Sequence, residues 1–335
     1  MTQPWISLPT LLGALLLTAA AWAEEGDDSG SDSSDSSDSG SMDSGAEDDS
    51  GEGASVEAEA KLDASALSGG ASSDKFASAM GPTGAGLSLS PEQKIRAWGE
   101  LAFHTQDFVT LFSPMLGGGY KVTPKIEVEL ILPMALATYS VFDPFDGAET
   151  SETAFVIGDP YVGGNFIGST GKIRYKVGGG FGLPLAPDST GGLVAAFSAL
   201  GARGFQEAHL WQPNVFSIAF PARVEYLMGK IILGGDGGLG IYVPTSGGGD
   251  TEFSLALSPG VGTYLGGNIL VGARIPFIWI MSDDVAQFAF EPYGRYDLGA
   301  GFVTARFTLN IDEPFGFAFD SGRFWGLHVG GGASF

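Results

Sequence analysis

From Lys94 onward the chain alternates. Lys94-Ile95-Arg96-Ala97-Trp98-Gly99-Glu100-Leu101-Ala102-Phe103-His104 places its charges on even positions and its aliphatic residues on odd ones. The same period of two returns at Lys125–Leu130, Lys172–Val177, Ala222–Tyr226 and Val303–Asp312. Period two is the signature of a strand with unlike faces. No run after residue 23 reaches the roughly 18 apolar residues that a membrane-spanning helix needs. Any insertion into a membrane must therefore use a closed barrel, because lipid cannot satisfy an open sheet edge. The 335-residue chain has 53 Gly and no Cys, which excludes a disulfide scaffold, a thiolate metal site and lipid attachment at a cysteine.

The alternation predicts strands over 94–104, 111–122, 125–137, 154–167, 172–184, 213–227, 230–243, 251–265, 268–280, 285–297, 301–312 and 323–335. Twelve is an even number, so both ends of the chain should lie on the periplasmic side. Every second connection is short, as at Thr123-Pro124, Gly168–Gly171, Met228-Gly229, Gly266-Gly267 and Gly299-Ala300. The others are mostly longer: 138–153, 185–212, 244–250, 281–284 and 313–322, with 105–110 a short exception. This is the asymmetry of periplasmic turns against outer loops. Phe103, Tyr120, Phe166, Tyr226, Tyr264, Phe277, Trp279 and Phe335 fall near strand ends and suit interfacial girdles.

The last thirteen residues, Arg323-Phe324-Trp325-Gly326-Leu327-His328-Val329-Gly330-Gly331-Gly332-Ala333-Ser334-Phe335, put Trp325, Leu327, Val329, Ala333 and Phe335 on one face. This segment resembles the C-terminal strand of Gram-negative outer-membrane β-barrel proteins. The resemblance makes Phe335 an assembly signal read by the barrel assembly machinery. It implies a transmembrane antiparallel up-and-down barrel of about twelve strands, an all-β fold, with outer-membrane lipid as its surroundings. Gly158-Asp159-Pro160-Tyr161-Val162-Gly163 looks like the Gly-Asp-x-x-x-Gly strand of transporter barrels of the phenol-degradation MetA type, themselves compared with fatty-acid and aromatic-hydrocarbon channels. Those channels carry an N-terminal plug. Here the segment before the barrel is acidic and of low complexity, so the plug mechanism does not carry over.

Residues 1–23 read as a signal peptide, with an apolar core from Leu8 to Ala21 and an Ala21-Trp22-Ala23 cleavage site, but with no Lys or Arg before the core. Residues 24–93 read as a disordered acidic segment rich in Ser, Asp and Gly, which cannot bury enough apolar surface to order itself. Positions 24–90 hold 16 acidic and two basic residues, a balance of −14 within a total of −23. The Asp/Ser runs lack the fixed ligand order of a calcium loop and read as solvated tail. Residues 94–335 form the barrel.

With the apolar face toward lipid, the lumen receives Arg96, Glu100, Glu127, Glu129, Asp159, Arg174, Lys176, Arg223, Glu225, Asp236, Arg274, Glu291, Arg295 and Arg306 as pore-lining residues. Two readings follow. Facing rows of opposite charge could select solutes in a water-filled pore. Alternatively, charges on adjacent strands pair and fill the barrel. Inward glycines (Gly234, Gly238, Gly240, Gly260, Gly262, Gly272) favour open space. The loop 185–212 is apolar for an outer loop, with Leu193, Val194, Phe197, Leu200 and Phe205. It could constrict the mouth, bind a greasy solute or pack on the rim. His104, His209 and His328 lack a partner Ser in a recognisable motif, so the chain reads as a non-enzyme. The expectation is an outer-membrane channel for passive or facilitated transport of a small-molecule solute. It has no cofactor, metal or nucleic-acid partner, and its oligomeric state is open. The alternative is a closed structural or adhesive barrel acting through its outer loops.

Overall fold

The computed structural model describes residues 94–106, 109–142, 149–245, 250–281, 285–311 and 325–335. The expected signal peptide and acidic segment, and parts of several loops, lie outside the described residues. The first half contains β1 (Ile95–Gln106), β2 (Val109–Thr123), β3 (Ile126–Phe142), β4 (Glu149–Ile157), β5 (Tyr161–Thr170) and β6 (Ile173–Gly182). Then come helix α1 (Thr190–Ala202) and a 3₁₀ turn (Ala208–Leu210). The second half contains β7 (Val215–Met228), β8 (Ile231–Pro244), β9 (Glu252–Leu265), β10 (Ile269–Arg274), β11 (Phe277–Ile280), β12 (Val285–Asp297), β13 (Gly301–Asn310) and β14 (Trp325–Ser334).

These fourteen segments make twelve strands. β4 and β5 pair end to end with the same strand, β3, and are separated only by Gly158-Asp159-Pro160. β10 and β11 both lie between β9 and β12, broken at Ile275-Pro276, where proline removes a ladder donor. All pairings are antiparallel. β14 pairs with β1, from Arg96 opposite Ser334 to Phe103 opposite Leu327, and this closes the barrel. Phe335 completes the seam through its backbone: its N–H donates to Ile95 O and its carbonyl accepts from the N–H groups of Lys94 and Ile95.

The twelve expected strands are present, with shifted ends. The largest shift is in the hairpin expected to loop over 138–153. There β3 runs on to Phe142 and β4 starts at Glu149. The extension is held by polar pairs, Thr138 with Thr153 and Tyr139 with Glu152. Polar residues on both faces hide a strand from an apolar period, so the sequence reads as loop.

The apolar face points outward. Leu101, Leu116, Leu130, Phe155, Val162, Phe181, Val261 and Val329 are exposed around the wall, while Arg96, Glu100, Glu127, Glu225, Glu291 and Arg306 are buried inside. A closed wall with an apolar exterior and a charged interior is the inverse of a water-soluble sandwich and is the arrangement lipid requires. One girdle assignment needs correction. Tyr264 is buried, and its hydroxyl reaches Asp297 inside the barrel.

Candidate functional site

The lumen is occupied on one side by the connection between β6 and β7. Ser189 caps α1, its hydroxyl oxygen accepting the Gly192 N–H at 3.2 Å. The helix presents Ala195, Ala196, Ala199 and Ala202 to Leu111, Met115, Ala135, Ala137 and Val156 on the inner wall. A helix faced with alanine can approach a sheet closely, and the wall answers with an apolar patch where the rest of the lumen is charged. At the helix C-terminus the carbonyls that lack helical partners are met by side chains from the wall. Asn310 Nδ2 donates to Gly201 O at 2.9 Å, and His328 Nε2 lies 3.0 Å from Ala202 O. Leu193 and Phe197 lie on the exposed side of α1. The apolar loop expected at 185–212 thus constricts the barrel from within.

The break between β4 and β5 holds the segment at both ends. Asp159 Oδ1 accepts the N–H groups of Leu185 and Ala186, each at 2.9 Å, where the segment leaves the wall. The Asp159 N–H donates to Leu210 O at 2.7 Å, where the segment returns. Gly158 is required here, because a Cβ would collide with the Leu210 carbonyl. The Gly-Asp-x-x-x-Gly sequence is therefore a docking point. Asp159, expected to line the pore, is buried and used as an anchor.

Arg203, at the end of α1, is the central tie. Its Nη1 donates to Glu100 Oε1 at 2.6 Å and its Nη2 to Ser113 O at 2.8 Å. From Glu100 a chain of ion pairs crosses the interior. Glu100 accepts two bonds from Arg306 (3.0 and 2.7 Å), and Arg306 reaches Glu291 at 2.7 Å. Glu291 meets Arg274 at 2.6 Å, Arg274 meets Asp236 at 3.2 Å, and Asp236 also pairs with Arg223. A second cluster joins Arg96 and Lys176 to Glu127 and Glu129, with Asn165 donating to Glu129. Arg295 pairs with Asp297 and lies over the Phe302 ring at 4.3 Å. Arg174 and Glu225 lie opposite one another in the β6–β7 register, both buried. All fourteen residues expected to line the pore lie inside the wall, thirteen of them buried and Asp236 partly so, and the pairs named here knit most of them to their neighbours. Phe335, the fifteenth site residue, has an exposed side chain.

The inward glycines do not simply leave space. Gly262 and Gly272 face the Tyr293 ring, and Gly240 faces Tyr242. The space of a missing side chain receives a tyrosine, from the same strand at Gly240 and from β12 at Gly262 and Gly272. Among the described residues, a cavity of about 170 Å³ lies between residues 206–210 of the inward segment and a wall formed by β3 and β5 to β11. Glu207 and His209 face it from the segment. Burial raises the Glu207 carboxyl pKa, against the pull of Arg203. Burial lowers the His209 imidazole to about 4, so it is neutral at physiological pH. Its ring stands edge-on to Tyr161 at 5.3 Å.

Sequence reasoning missed Arg203, Gln206 and Tyr161. A lone cation in an apolar loop was the available signal for Arg203. Nothing in the local pattern distinguished Tyr161. His104 and His328 lie on β1 and β14, which pair with one another, His328 opposite Ala102. His328 contacts Thr308 and Ala202, while His104 packs edge-on to Trp325.

No protein-family model matches the chain, and no curated protein matches it. Solved structures do. An outer membrane channel from Pseudomonas putida F1 shares 11% identity at a TM-score of 0.52, over 74% of this chain and 97% of that one. An anion-selective porin from Comamonas acidovorans shares 11% identity (TM-score 0.34; 72% and 98% covered). The CymD monoaromatic hydrocarbon channel shares 10% (TM-score 0.37; 78% and 94% covered). At these identities the shared property is the fold, and the chain has the fold of an outer-membrane β-barrel.

Proposed function

We propose that this protein is an outer-membrane channel that passes small solutes along the gap between its inward segment and the β7–β11 wall. The observation that carries this reading is the cavity kept open beside a segment pinned to the opposite wall. A barrel that served only as a scaffold has no use for a helix docked on one side with space kept on the other. The solved Pseudomonas putida F1 channel, which shares the fold, supports the same reading. The tight ends of the barrel, with left-handed glycines at Gly171, Gly229, Gly266, Gly267 and Gly299, are assigned to the periplasm, and the inward segment then descends from the outer face. Both chain ends are periplasmic in this orientation. The signal peptide and the acidic segment complete the proposal at the N-terminus.

A second reading has its own support. The described lumen charges are largely paired with each other, as a closed structural barrel would have them. Planar-bilayer recordings of the refolded mature chain, with and without residues 24–90, decide between the two. Discrete small steps in both forms are expected. Steps only after truncation would make the acidic segment the gate. A folded barrel that gives no steps in either form would establish the closed barrel and turn attention to its outer loops.

A further inference from the structure

The cavity has an uneven chemistry. Its charged lining residues, Glu129, Lys176, Glu207, Arg223, Asp236 and Arg274, each belong to an ion pair. Three cations face three anions, so the lining holds no charge to spare for an ionic solute. Three other polar atoms on the same lining have no hydrogen-bond partner among the described residues: Tyr161 Oη, Gln206 Nε2 and Arg274 Nη2. All three are donors. Tyr161 and Arg274 are each only 2% exposed. A buried donor without an acceptor is costly, so an acceptor from a ligand is strongly favoured there. The donors are also held in place. Tyr161 lies flat against Gly163 and Gly180, where any Cβ would collide with its ring. Arg274 is fixed through its other nitrogens by Glu291 and Asp236. Gln206 is oriented by Ser258, whose hydroxyl donates to Gln206 Oε1 at 2.7 Å. Between the donors the lining is apolar, with Ile131, Leu210, Ala219, Ala256 and Ile278. An apolar cavity of about 150 Å³ takes up a molecule of one six-membered ring, and this one measures about 170 Å³.

We infer that the cavity is a binding site for a compact neutral solute, of about one ring in size, that presents a carbonyl or similar acceptor oxygen to Tyr161, Gln206 and Arg274. The inference rests on the channel reading and names the solute class it selects.

The test uses three probes of one shape on the folded full chain in detergent: cyclohexanone, methylcyclohexane and cyclohexanecarboxylate. Cyclohexanone is expected to bind saturably, with its carbonyl stretch lowered relative to the same molecule in empty micelles. The hydrocarbon and the carboxylate should bind at least about tenfold more weakly, since one to two hydrogen bonds distinguish them. Tyr161→Phe should weaken cyclohexanone binding by about three- to tenfold and reverse part of the infrared shift, leaving the hydrocarbon unaffected. Gln206→Leu, on the inward segment, provides the same comparison if the first variant fails to fold. Equal binding of methylcyclohexane, or binding that ignores both substitutions, overturns donor recognition. Tighter binding of the carboxylate overturns neutrality. Absence of saturable binding shows that the cavity holds water alone. Bilayer recordings on the same preparations separate the two readings: steps without binding overturn the solute class only, and binding without steps overturns the channel while leaving the site.

Discussion

Glu100 carries more than its own pair. One carboxylate receives Arg203 from the inward segment and Arg306 from β13, with His328 Nδ1 3.4 Å away. Removing a buried partner leaves uncompensated charge, whereas the pair itself can be nearly neutral in stability. Glu100→Ala leaves Arg306 with Glu291 alone and Arg203 with only the longer 3.4 Å contact to Glu207, an excess of buried positive charge, and should cost about 3–5 kcal/mol, measured by urea unfolding in detergent. Arg203→Met leaves Glu100 paired with Arg306, and the Glu207 carboxyl, already raised in pKa by burial, can take up a proton once Arg203 is gone. This substitution should cost less and should release α1, seen as a larger and noisier bilayer step. A smaller loss for Glu100→Ala than for Arg203→Met would contradict this ordering. The position of Glu100 inside the wall was legible, because its strand alternates cleanly. Its partners were not, since Arg203 lies 103 residues away and Arg306 lies 206 away. A period identifies a face but not what stands across it.

The inward segment shows a similar limit at the scale of an element. Its apolar content was visible in the sequence, and constriction of the mouth was one of three outcomes it allowed. The helix itself was hidden. Thr190-Gly191-Gly192 opens it, glycine is a poor helix former, and the apolar residues surround the axis with no single stripe. Its conformation comes from the wall that receives it. Replacing residues 190–202 by a Gly/Ser linker of equal length should therefore leave the barrel folded, because β6 and β7 pair directly from Ile173–Tyr226 to Gly182–Ser217. Conductance should rise several-fold, read in planar bilayers. Loss of the folded barrel, seen as loss of its heat-modifiable gel mobility, would show instead that the helix is part of the wall's stability.

At the scale of the whole molecule, the inside-out arrangement was the most legible feature, since it needs only parity and the absence of a long apolar run. Depth was less legible. Leu101 lies in the middle of β1 and is exposed, whereas Ile231 is the first residue of β8, beside the turn. Both read simply as lipid-facing from the sequence. Charge costs most at the bilayer centre, so Leu101→Arg should destabilise by about 2–4 kcal/mol and Ile231→Arg by about 0–1 kcal/mol. Equal costs, measured by reversible unfolding in lipid, would misplace the membrane on this barrel.

The broken strand between β4 and β5 also sets an order of events. Its Gly158-Asp159-Pro160 joint grips both ends of the segment, while Arg203 must find Glu100 on β1, and Glu100 must find Arg306 on a strand added near the end of synthesis. Contacts so distant in sequence form late. The joint can seat the segment loosely as soon as β3 to β7 are paired, but the final tie waits until the seam between β1 and β14 is shut. The Glu100–Arg306 pair spans the β1–β14 seam, so it exists only in the closed barrel, and the helix that leans on Glu100 through Arg203 acts as a keystone for that closure.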